Sequence, residues 1–245
     1  LKLFDLTGKK ALITGGSRGL GLQAAEALGS MGAEIVIVSR KESDLKETIL
    51  HLTDMGIKTN YVAADLQFEK VMPALVDDVL SHMGGIDILI NNAGATWGAP
   101  AEDHPADAWY KIMNLNINSM FFLSQEVGKR CMIPNKYGKI INVSSIAGLR
   151  GNPKQMKTIA YNTSKGAVLN HTRALAAEWG VHNININSIC PGFFHTKMTK
   201  GLLSVIEKSV IEQTPLEGTF IYLSSDASRH VTGEFIAVDG GVGIC

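Results

Sequence analysis

The chain has 245 residues, of which 45% are apolar and 19% are charged. This composition is typical of a globular protein with a full core and argues against a disordered chain. The 23 basic residues equal the 23 acidic residues in number. No overall charge therefore favours nucleic acid or an anionic membrane surface, and a small, locally bound partner is expected.

The cysteines are few and far apart: Cys131, Cys190 and Cys245. An odd number without a C-x-x-C pair argues against a disulfide framework and a zinc knuckle, and His171, His195 and His230 are too scattered to predict a metal site. No apolar run approaches the roughly 18 residues of a membrane-spanning helix, and no signal peptide is recognisable. We expect a cytoplasmic protein with reduced thiols.

Seven short, β-rich runs alternate with helix-like stretches along the chain. They are KALIT (10–14), EIVIVS (34–39), TNYVA (59–63), IDILIN (86–91), GKIINVS (138–144), NININSI (183–189) and FIAVD (235–239). Several runs are apolar nearly throughout, as strands covered on both faces are. The pattern predicts an α/β fold over residues 1–245, a single Rossmann-type, doubly wound domain of seven parallel strands with helices on both faces.

Small or polar residues follow six of these strands. They are Gly15, Ser39, Asp65, Asn92, Ser145 and Pro191. Ligands of such sheets bind in the crevice at the carboxyl ends of the strands. The sequence therefore predicts one shared site at that edge.

The first strand is followed by the glycine-rich segment TGGSRGLG (14–21) and then by a helical pattern. Glycine lets the backbone approach a ligand closely, and a helix N-terminus offers N–H groups to a pyrophosphate. The segment predicts a dinucleotide site, although its spacing is not G-x-G-x-x-G, and a purely structural glycine turn is the alternative. The expected contacts are Gly15, Ser17, Arg18, Gly19, Leu20 and Gly21.

The second strand ends in Ser39, Arg40 and Lys41. A site for NAD usually carries an acidic residue there, whereas arginine meets the 2′-phosphate of NADP. Because no carboxylate is present, and Arg40 and Arg18 could converge on one phosphate, we predict NADP(H). The alternative is that Arg40 merely opens a solvated helix.

Seven short motifs occur in a characteristic order. They are TGGSRGLG (14–21), AADL (63–66), NNAG (91–94), the asparagine of NLN (Asn116), VSSIAG (143–148), YNTSK (161–165) and CPG (190–192). Together they resemble the short-chain dehydrogenase/reductase family over nearly the whole chain. The resemblance implies an oxidoreductase that interconverts a ketone and a secondary alcohol.

The family's catalytic positions correspond to Asn116, Ser145, Tyr161 and Lys165. Reduction needs a proton donor beside the developing alkoxide, and a free tyrosine titrates near pH 10. Residues four apart on a helix are neighbours, so the ammonium of Lys165 is expected to lower the pKa of Tyr161. The resemblance further implies that Lys165 bonds the nicotinamide ribose, Ser145 the substrate oxygen, and Asn116 a water in a proton relay.

The resemblance also assigns cofactor contacts. Asp65 and Leu66 would meet the adenine, and Asn92, Ala93 and Gly94 would flank a ribose. Pro191, Gly192, Phe194 and Thr196 match the loop over the nicotinamide amide and phosphates, while Tyr161 and Lys165 complete the cofactor set.

Two segments depart from the family pattern. Between Ser145 and Tyr161 lie 15 residues, where about a dozen are common. The segment 214–226 is also shorter than the corresponding segment of relatives. A substrate lid is expected around 193–217.

The substrate is the least constrained prediction. Residues 91–103 resemble 3-oxoacyl reductases of the fatty-acid and rhamnolipid type, and Trp97, Phe193 and Phe194 would form an apolar wall. A 3-oxoacyl thioester on acyl-carrier protein or CoA is the first choice. A polyol or sugar acid, as in gluconate 5-dehydrogenase-like members, is the alternative, and a non-catalytic NADP sensor is the second. A homotetramer is expected from the family, with pairing through helices near 105–131 and 157–180.

Overall fold

The structure is a computed structural model that describes residues 2–192 and 216–242. Its seven strands form one sheet in the order β3-β2-β1-β4-β5-β6-β7, and every neighbouring pair is parallel. The strands are β1 Lys10–Thr14, β2 Glu34–Ser39, β3 Thr59–Ala63, β4 Ile88–Asn91, β5 Gly138–Val143, β6 Ile184–Pro191 and β7 Phe235–Val238. The prediction of a doubly wound sheet of seven parallel strands is confirmed.

Helices connect the strands. They are α1 Gly19–Ser30, α2 Glu42–Asp54, α3 Met72–Met83, α4 Ala106–Met113, α5 Ser119–Val127, α6 Ile133–Asn135, α7 Ile159–Trp179 and α8 Glu217–Ser224. Short 3₁₀ turns lie at Lys2–Phe4, Glu69–Val71, Ile146–Gly148, Gly180–His182 and Asp226–Ser228. The helices cover both faces of the sheet, as expected for parallel strands joined by crossovers.

The core consists of two apolar layers, one on each face of the sheet. Alternate residues of a strand point to opposite faces, and in β1 Leu12 lies in one layer while Ala11 and Ile13 lie in the other. The Leu12 layer packs against α3, α5 and α7, whereas the Ile13 layer packs against α1, α2 and α8. This packing fixes the sheet edge at which the predicted site lies.

The helix predicted near 105–131 is not a uniform α-helix. Two π-helical turns, Asn114–Asn118 and Gly128–Met132, separate α4, α5 and α6. A π turn contains one residue more than an α turn and is frequent at functional sites. The first of these turns carries Asn116.

The predicted lid at 193–217 falls on residues outside the described part of the chain, except for Leu216 and Glu217 at the start of α8. Phe193, Phe194 and Thr196 lie outside it too. Among the helices that the structure does describe, none has the length and apolarity to cross a bilayer.

Candidate active site

The predicted site residues follow strands that are neighbours in the sheet. Gly15, Asn92, Ser145 and Gly192 come after β1, β4, β5 and β6, which lie side by side in this order. The sheet therefore collects these residues along its carboxyl edge, where doubly wound folds bind ligands.

The glycine loop between β1 and α1 is tightly folded. Gly15 has φ +65°, and a Cβ on Gly21 would overlap the carbonyl oxygen of Gly15 and lie 2.5 Å from Asn92 Nδ2. Larger residues are therefore excluded at both positions. Helix α1 begins at Gly19, and no side chain caps its first turn, so the N–H groups of that turn keep their hydrogen-bonding capacity for an anion.

Thr14 and Asn92 join the glycine loop to the end of β4. The backbone N–H groups of Asn92 and Ala93 each donate to Thr14 Oγ1 at 3.0 Å. Asn92 Nδ2 donates to the carbonyl oxygens of Thr14 at 2.9 Å and Gly15 at 3.2 Å. The sequence-based prediction placed Asn92 beside a ribose and missed Thr14, whose position at the end of β1 was its only signal.

The two arginines predicted for a 2′-phosphate have different surroundings. Arg40 is exposed directly after β2, whereas Arg18 pairs with Asp44 of α2 at 3.5 Å. The carbonyl oxygen of Ser17 accepts a hydrogen bond from Thr48 Oγ1 at 3.0 Å, which fixes the loop against α2. A carboxylate therefore already engages one of the two cations.

The residues predicted at the adenine lie after β3. Gln67 donates to the Asp65 carboxylate through its backbone N–H at 3.1 Å and through Nε2 at 3.2 and 3.3 Å. Leu66 is buried, and the N–H of Ala64 donates to Ser39 O at 3.0 Å. The turn is therefore fixed beside the end of β2.

Ser145 and Tyr161 are neighbours in the structure. Ser145 lies just after β5, its Oγ accepts the N–H of Ala147 at 3.1 Å, and its hydroxyl is near enough to Tyr161 to affect the pKa of the phenol. Lys165 lies one turn further along α7, with Nζ 5.7 Å from the centroid of the Tyr161 ring. Three of the four predicted catalytic residues thus meet at the end of β5.

The pKa values in this cluster differ from the sequence-based expectation. Burial raises the pKa of Tyr161, and the nearby Ser145 hydroxyl opposes that shift. Burial also lowers the pKa of Lys165 to about 8. The predicted net lowering of the Tyr161 pKa is therefore wrong for the chain alone, because desolvation outweighs any effect of the ammonium, whose Nζ donates to Val143 O at 2.7 Å.

Asn116, the fourth predicted catalytic residue, is fully buried in the π turn. Its Oδ1 accepts the N–H of Ala95 and its Nδ2 donates to Ala95 O, both at 2.9 Å. Nδ2 also donates to Ser164 Oγ at 2.9 Å. Both amide protons are thus used to tie the loop after β4 to helix α7.

Ser144 and Ser164 support this cluster, although neither was predicted as a site residue. Ser144 Oγ donates to Lys165 O at 2.7 Å, and Ser164 Oγ donates to Tyr161 O at 2.8 Å. Both hydroxyls fix the turn of α7 between Tyr161 and Lys165. The signal for Ser164 was available, since it lies three positions after Tyr161 and can reach the carbonyl oxygen of that residue.

Cys190 lies near this cluster, close to the end of β6. It is fully buried, and burial raises the pKa of its thiol to about 11. A thiol with a raised pKa is a poor nucleophile, so Cys190 acts as a packing residue. Among the described residues, no group of three His, Cys, Asp or Glu side chains could hold a metal ion.

The remaining predicted contacts line the same edge. Pro191 ends β6, and the N–H of Gly192 donates to Val238 O at 3.0 Å. A Cβ on Gly94 would lie 3.4 Å from Asn116 Oδ1 and 3.6 Å from Lys165 Nζ. Gly94 thus lies next to the buried ammonium of Lys165.

These features fit a nicotinamide dinucleotide. The uncapped first turn of α1 and the tight glycine loop suit a pyrophosphate. Lys165 donates only one hydrogen bond among the described residues, so it keeps two donors for ribose hydroxyls.

The family model described as short chain dehydrogenase matches residues 9–205. The chain belongs to this family. This short-chain dehydrogenase is therefore an oxidoreductase acting on CH–OH and C=O groups, and the predicted family membership is confirmed.

Three relatives represent two substrate classes. The 2-dehydro-3-deoxy-D-gluconate 5-dehydrogenase of Dickeya dadantii is 38% identical, with 98% of each chain covered. The gluconate 5-dehydrogenase of Gluconobacter oxydans is 37% identical, covering 98% of this chain and 96% of the relative. The 3-oxoacyl-[acyl-carrier-protein] reductase of Chlamydia muridarum is 34% identical, covering 97% and 98%.

Two solved structures match the whole fold. The gluconate 5-dehydrogenase of Burkholderia cenocepacia, solved in complex with NADP and tartrate, superposes with a TM-score of 0.91 at 32% identity. The match covers 100% of this chain and 98% of that one. A short-chain type dehydrogenase/reductase of Mycobacterium marinum gives a TM-score of 0.92 at 32% identity, covering 98% and 97%.

Proposed function

We propose that this short-chain dehydrogenase uses NADP(H) to interconvert a ketone and a secondary alcohol on a sugar acid. One observation carries the proposal: Ser145 and Tyr161 lie near each other at the carboxyl end of β5, with buried Lys165 one turn away from Tyr161. This arrangement offers a carbonyl oxygen two adjacent hydroxyl groups, as proton transfer to an alkoxide requires.

The cofactor would lie across the carboxyl edge. The glycine loop and the first turn of α1 would hold its pyrophosphate, and Lys165 would bond the nicotinamide ribose. Arg40, exposed directly after β2, would meet the 2′-phosphate, with Arg18 joining it by leaving Asp44. NADP in the Burkholderia relative supports this choice.

When bound, the nicotinamide supplies or accepts the hydride. In reduction, Ser145 would hold the carbonyl oxygen and Tyr161 would donate its proton to that oxygen. The raised pKa of Tyr161 keeps the phenol protonated at neutral pH, in the form that donates. Lys165, whose pKa is about 8, is mostly protonated at pH 7 and would stabilise the phenolate that remains.

Sugar-acid substrates have the better support among the two enzymatic candidates. Relatives acting on gluconate and 2-dehydro-3-deoxy-D-gluconate are 37% and 38% identical, against 34% for the 3-oxoacyl reductase. A groove of about 470 Å³ lies between residues 99–102 and residues of 151–159, next to Asn162, and its charged lining residues are Lys154, Lys157 and Glu102. Neither Ser145 nor Tyr161 lines it, so the groove would hold the part of the substrate away from the carbonyl group. Two positive charges against one negative charge suit a carboxylate substrate.

The 3-oxoacyl thioester, the first choice from sequence, is therefore the second candidate. Exposed Trp97 supports it, because an indole ring offers an apolar surface to an acyl chain.

The decisive test of catalysis is Tyr161→Phe, which removes the proton donor and keeps the ring. With NADPH and 5-ketogluconate, kcat/KM is expected to fall by about 10³, since general acid catalysis contributes about 10² to 10⁴. NADPH affinity, measured by fluorescence titration, should stay within about threefold, because the phenol oxygen is one contact among many. Unchanged turnover in Tyr161→Phe would overturn the proposal.

The substrate class is tested on the wild-type protein. Initial rates with 5-ketogluconate, with acetoacetyl thioesters of CoA and of acyl-carrier protein, and with NADPH or NADH separate the candidates. A higher kcat/KM for the thioesters would transfer the assignment to 3-oxoacyl reduction. Tight NADPH binding without turnover of any carbonyl would instead favour the sensor.

Assembly and location remain predictions. A homotetramer that pairs through α4, α5 and α7 is expected from the family, and light scattering of the purified protein tests it. A cytoplasmic location is likewise expected from the reduced thiols.

A further inference from the structure

The loop between β5 and α7, which is longer than the family pattern predicts, connects Ser145 to the helix that carries Tyr161. It runs from Ile146 to Thr158, so it begins directly after Ser145 and ends three residues before Tyr161 on α7. Any displacement of this loop must therefore change the space beside Ser145 and Tyr161. A loop with both ends at the reacting groups needs a specific anchor to hold one shape.

Asn162, the neighbour of Tyr161 on α7, supplies such an anchor. Its Nδ2 donates to Ala147 O at 2.9 Å and to Arg150 O at 3.3 Å. Its Oδ1 accepts from Asn152 Nδ2 at 3.1 Å and from Thr158 Oγ1 at 2.9 Å. A single carboxamide thus contacts the beginning, middle and end of the loop.

An amide is suited to this position by its chemistry. The two carbonyl oxygens need two donors, while the Asn152 amide and the Thr158 hydroxyl need an acceptor, and a carboxamide offers two N–H donors and an oxygen acceptor in one planar group. An aspartate at this position would face two carbonyl oxygens with a negative charge. An alanine would leave all four partners without this hydrogen bond.

The anchored loop is joined in turn to the loop after β4. The N–H of Ala99 donates to Lys157 O at 2.9 Å, and Ala95 is held by Asn116. The groove proposed to favour sugar acids lies between these two loops, and Asn162 is part of its lining. Asn162 therefore holds one wall of the groove, and the other wall is joined to that wall at Lys157.

We propose that Asn162 is a positioning residue that sets substrate discrimination by fixing the loop 146–158 against the helix that carries Tyr161. The inference rests on the proposed carbonyl chemistry at Tyr161 and adds a determinant of specificity to it. Among the described residues, the side-chain hydrogen bonds of Asn162 go to the loop and not to Ser145, Tyr161 or Lys165. Its loss should therefore change selection of the substrate more than the chemical step.

The test compares Asn162→Ala with Asn118→Ala. Asn118 is also a helical asparagine, and its amide donates to Asn114 Oδ1 on the surface of the π turn, so its hydrogen bond involves no residue of the loop. Both variants are assayed with 5-ketogluconate, with cyclohexanone as a small ketone that needs no loop contact, and with NADPH titration.

For Asn162→Ala we expect a rise of about tenfold in KM for 5-ketogluconate, with kcat within threefold of wild type. NADPH affinity and kcat/KM for cyclohexanone should stay within about twofold, so the ratio of the two specificity constants falls about tenfold. Asn152→Ala removes one of the four hydrogen bonds of Asn162. It should raise KM for 5-ketogluconate by a smaller factor, again with kcat nearly unchanged. Asn118→Ala should match wild type throughout.

An unchanged specificity ratio in Asn162→Ala would overturn the inference, as would an equal loss on both ketones together with weaker NADPH binding. If Asn162→Ala does not fold, Asn152→Ala and Thr158→Val carry the same comparison.

Tyr161→Phe in the same assay separates the two proposals. An active Tyr161→Phe contradicts the proposed function. An inactive Tyr161→Phe, together with an unchanged ratio of the two specificity constants in Asn162→Ala, contradicts only this inference.

Discussion

A buried lysine lies at each end of strand β5: Lys139 belongs to the strand, and Lys165 reaches its last residue from α7. Lys165 is the one beside the proposed proton donor, Tyr161. Lys139, the second residue of β5, donates to Asn185 Oδ1 at 2.8 Å, and Lys165 donates to Val143 O, the last carbonyl of the strand, at 2.7 Å. Burial lowers the pKa of both to about 8. The shared shift therefore does not distinguish the two ends.

What distinguishes them is the set of groups around each ammonium. Around Lys139 the field of Asp226 opposes the pKa shift and that of Lys9 adds to it, as in a structural charge cluster. Lys165 lies beside the Tyr161 ring, with Nζ 5.7 Å from the ring centroid, and next to Gly94. A perturbed pKa marks a site only when a reacting partner and open space accompany it.

The largest expected effect separates the two lysines by activity. Lys165→Met should lower kcat/KM for the ketone by about 10³, because the charge that would stabilise the Tyr161 phenolate is lost. Lys139→Met should leave kcat/KM within about twofold. Steady-state kinetics, with circular dichroism to verify folding, checks both, and equal losses in the two variants would remove the distinction.

A smaller effect concerns Lys139 and the pH dependence of the free energy of unfolding. Burial lowers the pKa of Lys139 from its ordinary value of 10.5 to about 8, which corresponds to about 3 kcal/mol. The unfolded lysine keeps its proton up to 10.5 while the folded one loses it from about 8, so the unfolded state binds more protons between these values. Wild type should therefore gain stability relative to Lys139→Met as the pH rises through this window.

Urea unfolding of both proteins at several pH values between neutrality and the upper end of that window measures this difference. The subtraction removes the contribution of Lys165, which titrates in the same window in both proteins. A free-energy difference that does not depend on pH would show that the pKa of Lys139 is not lowered as its burial implies.

The smallest expected effect concerns the glycine loop. Gly21→Ala places a Cβ against the carbonyl of Gly15, and the loop must shift, which should weaken NADPH binding by about tenfold and cost about 1 to 3 kcal/mol of stability. Gly218→Ala in α8, where a Cβ meets nothing within 4 Å, is the matched control and should be neutral or slightly stabilising. Isothermal titration and thermal unfolding measure both, and equal NADPH affinities would contradict the close packing.

The sheet was predicted well from the sequence because its signal is local. The bounds of β1, β2 and β3 match the apolar runs residue for residue, since β-branched runs end at glycine or polar residues. Strand β6 extends to Pro191, beyond its predicted end, because β7 pairs with it there. That extension depends on a partner far along the chain, which periodicity does not reveal.

The candidate site was only partly predictable. Motif spacing placed Ser145, Tyr161 and Lys165 together, and the structure brings them together at one strand end. The direction of the Tyr161 pKa shift was missed because burial depends on the whole fold rather than on the i,i+4 spacing. The roles of Thr14 and Asn162 were missed for the same reason, since their partners lie on separate turns that only the fold brings together.

Asn116 holds the loop after β4 through Ala95, and it lies in a π turn. Its contacts with that loop therefore depend on the number of residues in the helical segment from α4 to α5. Removing a single residue from Asn114–Asn118 would restore an ordinary α-helix and turn the residues within this segment by up to about 100° around the helix axis. The carboxamide of Asn116 would then lose its hydrogen bonds to Ala95, although no side chain had been substituted. Shortening this helix is therefore a more severe change than most point substitutions, and designs that graft the fold should keep its length fixed.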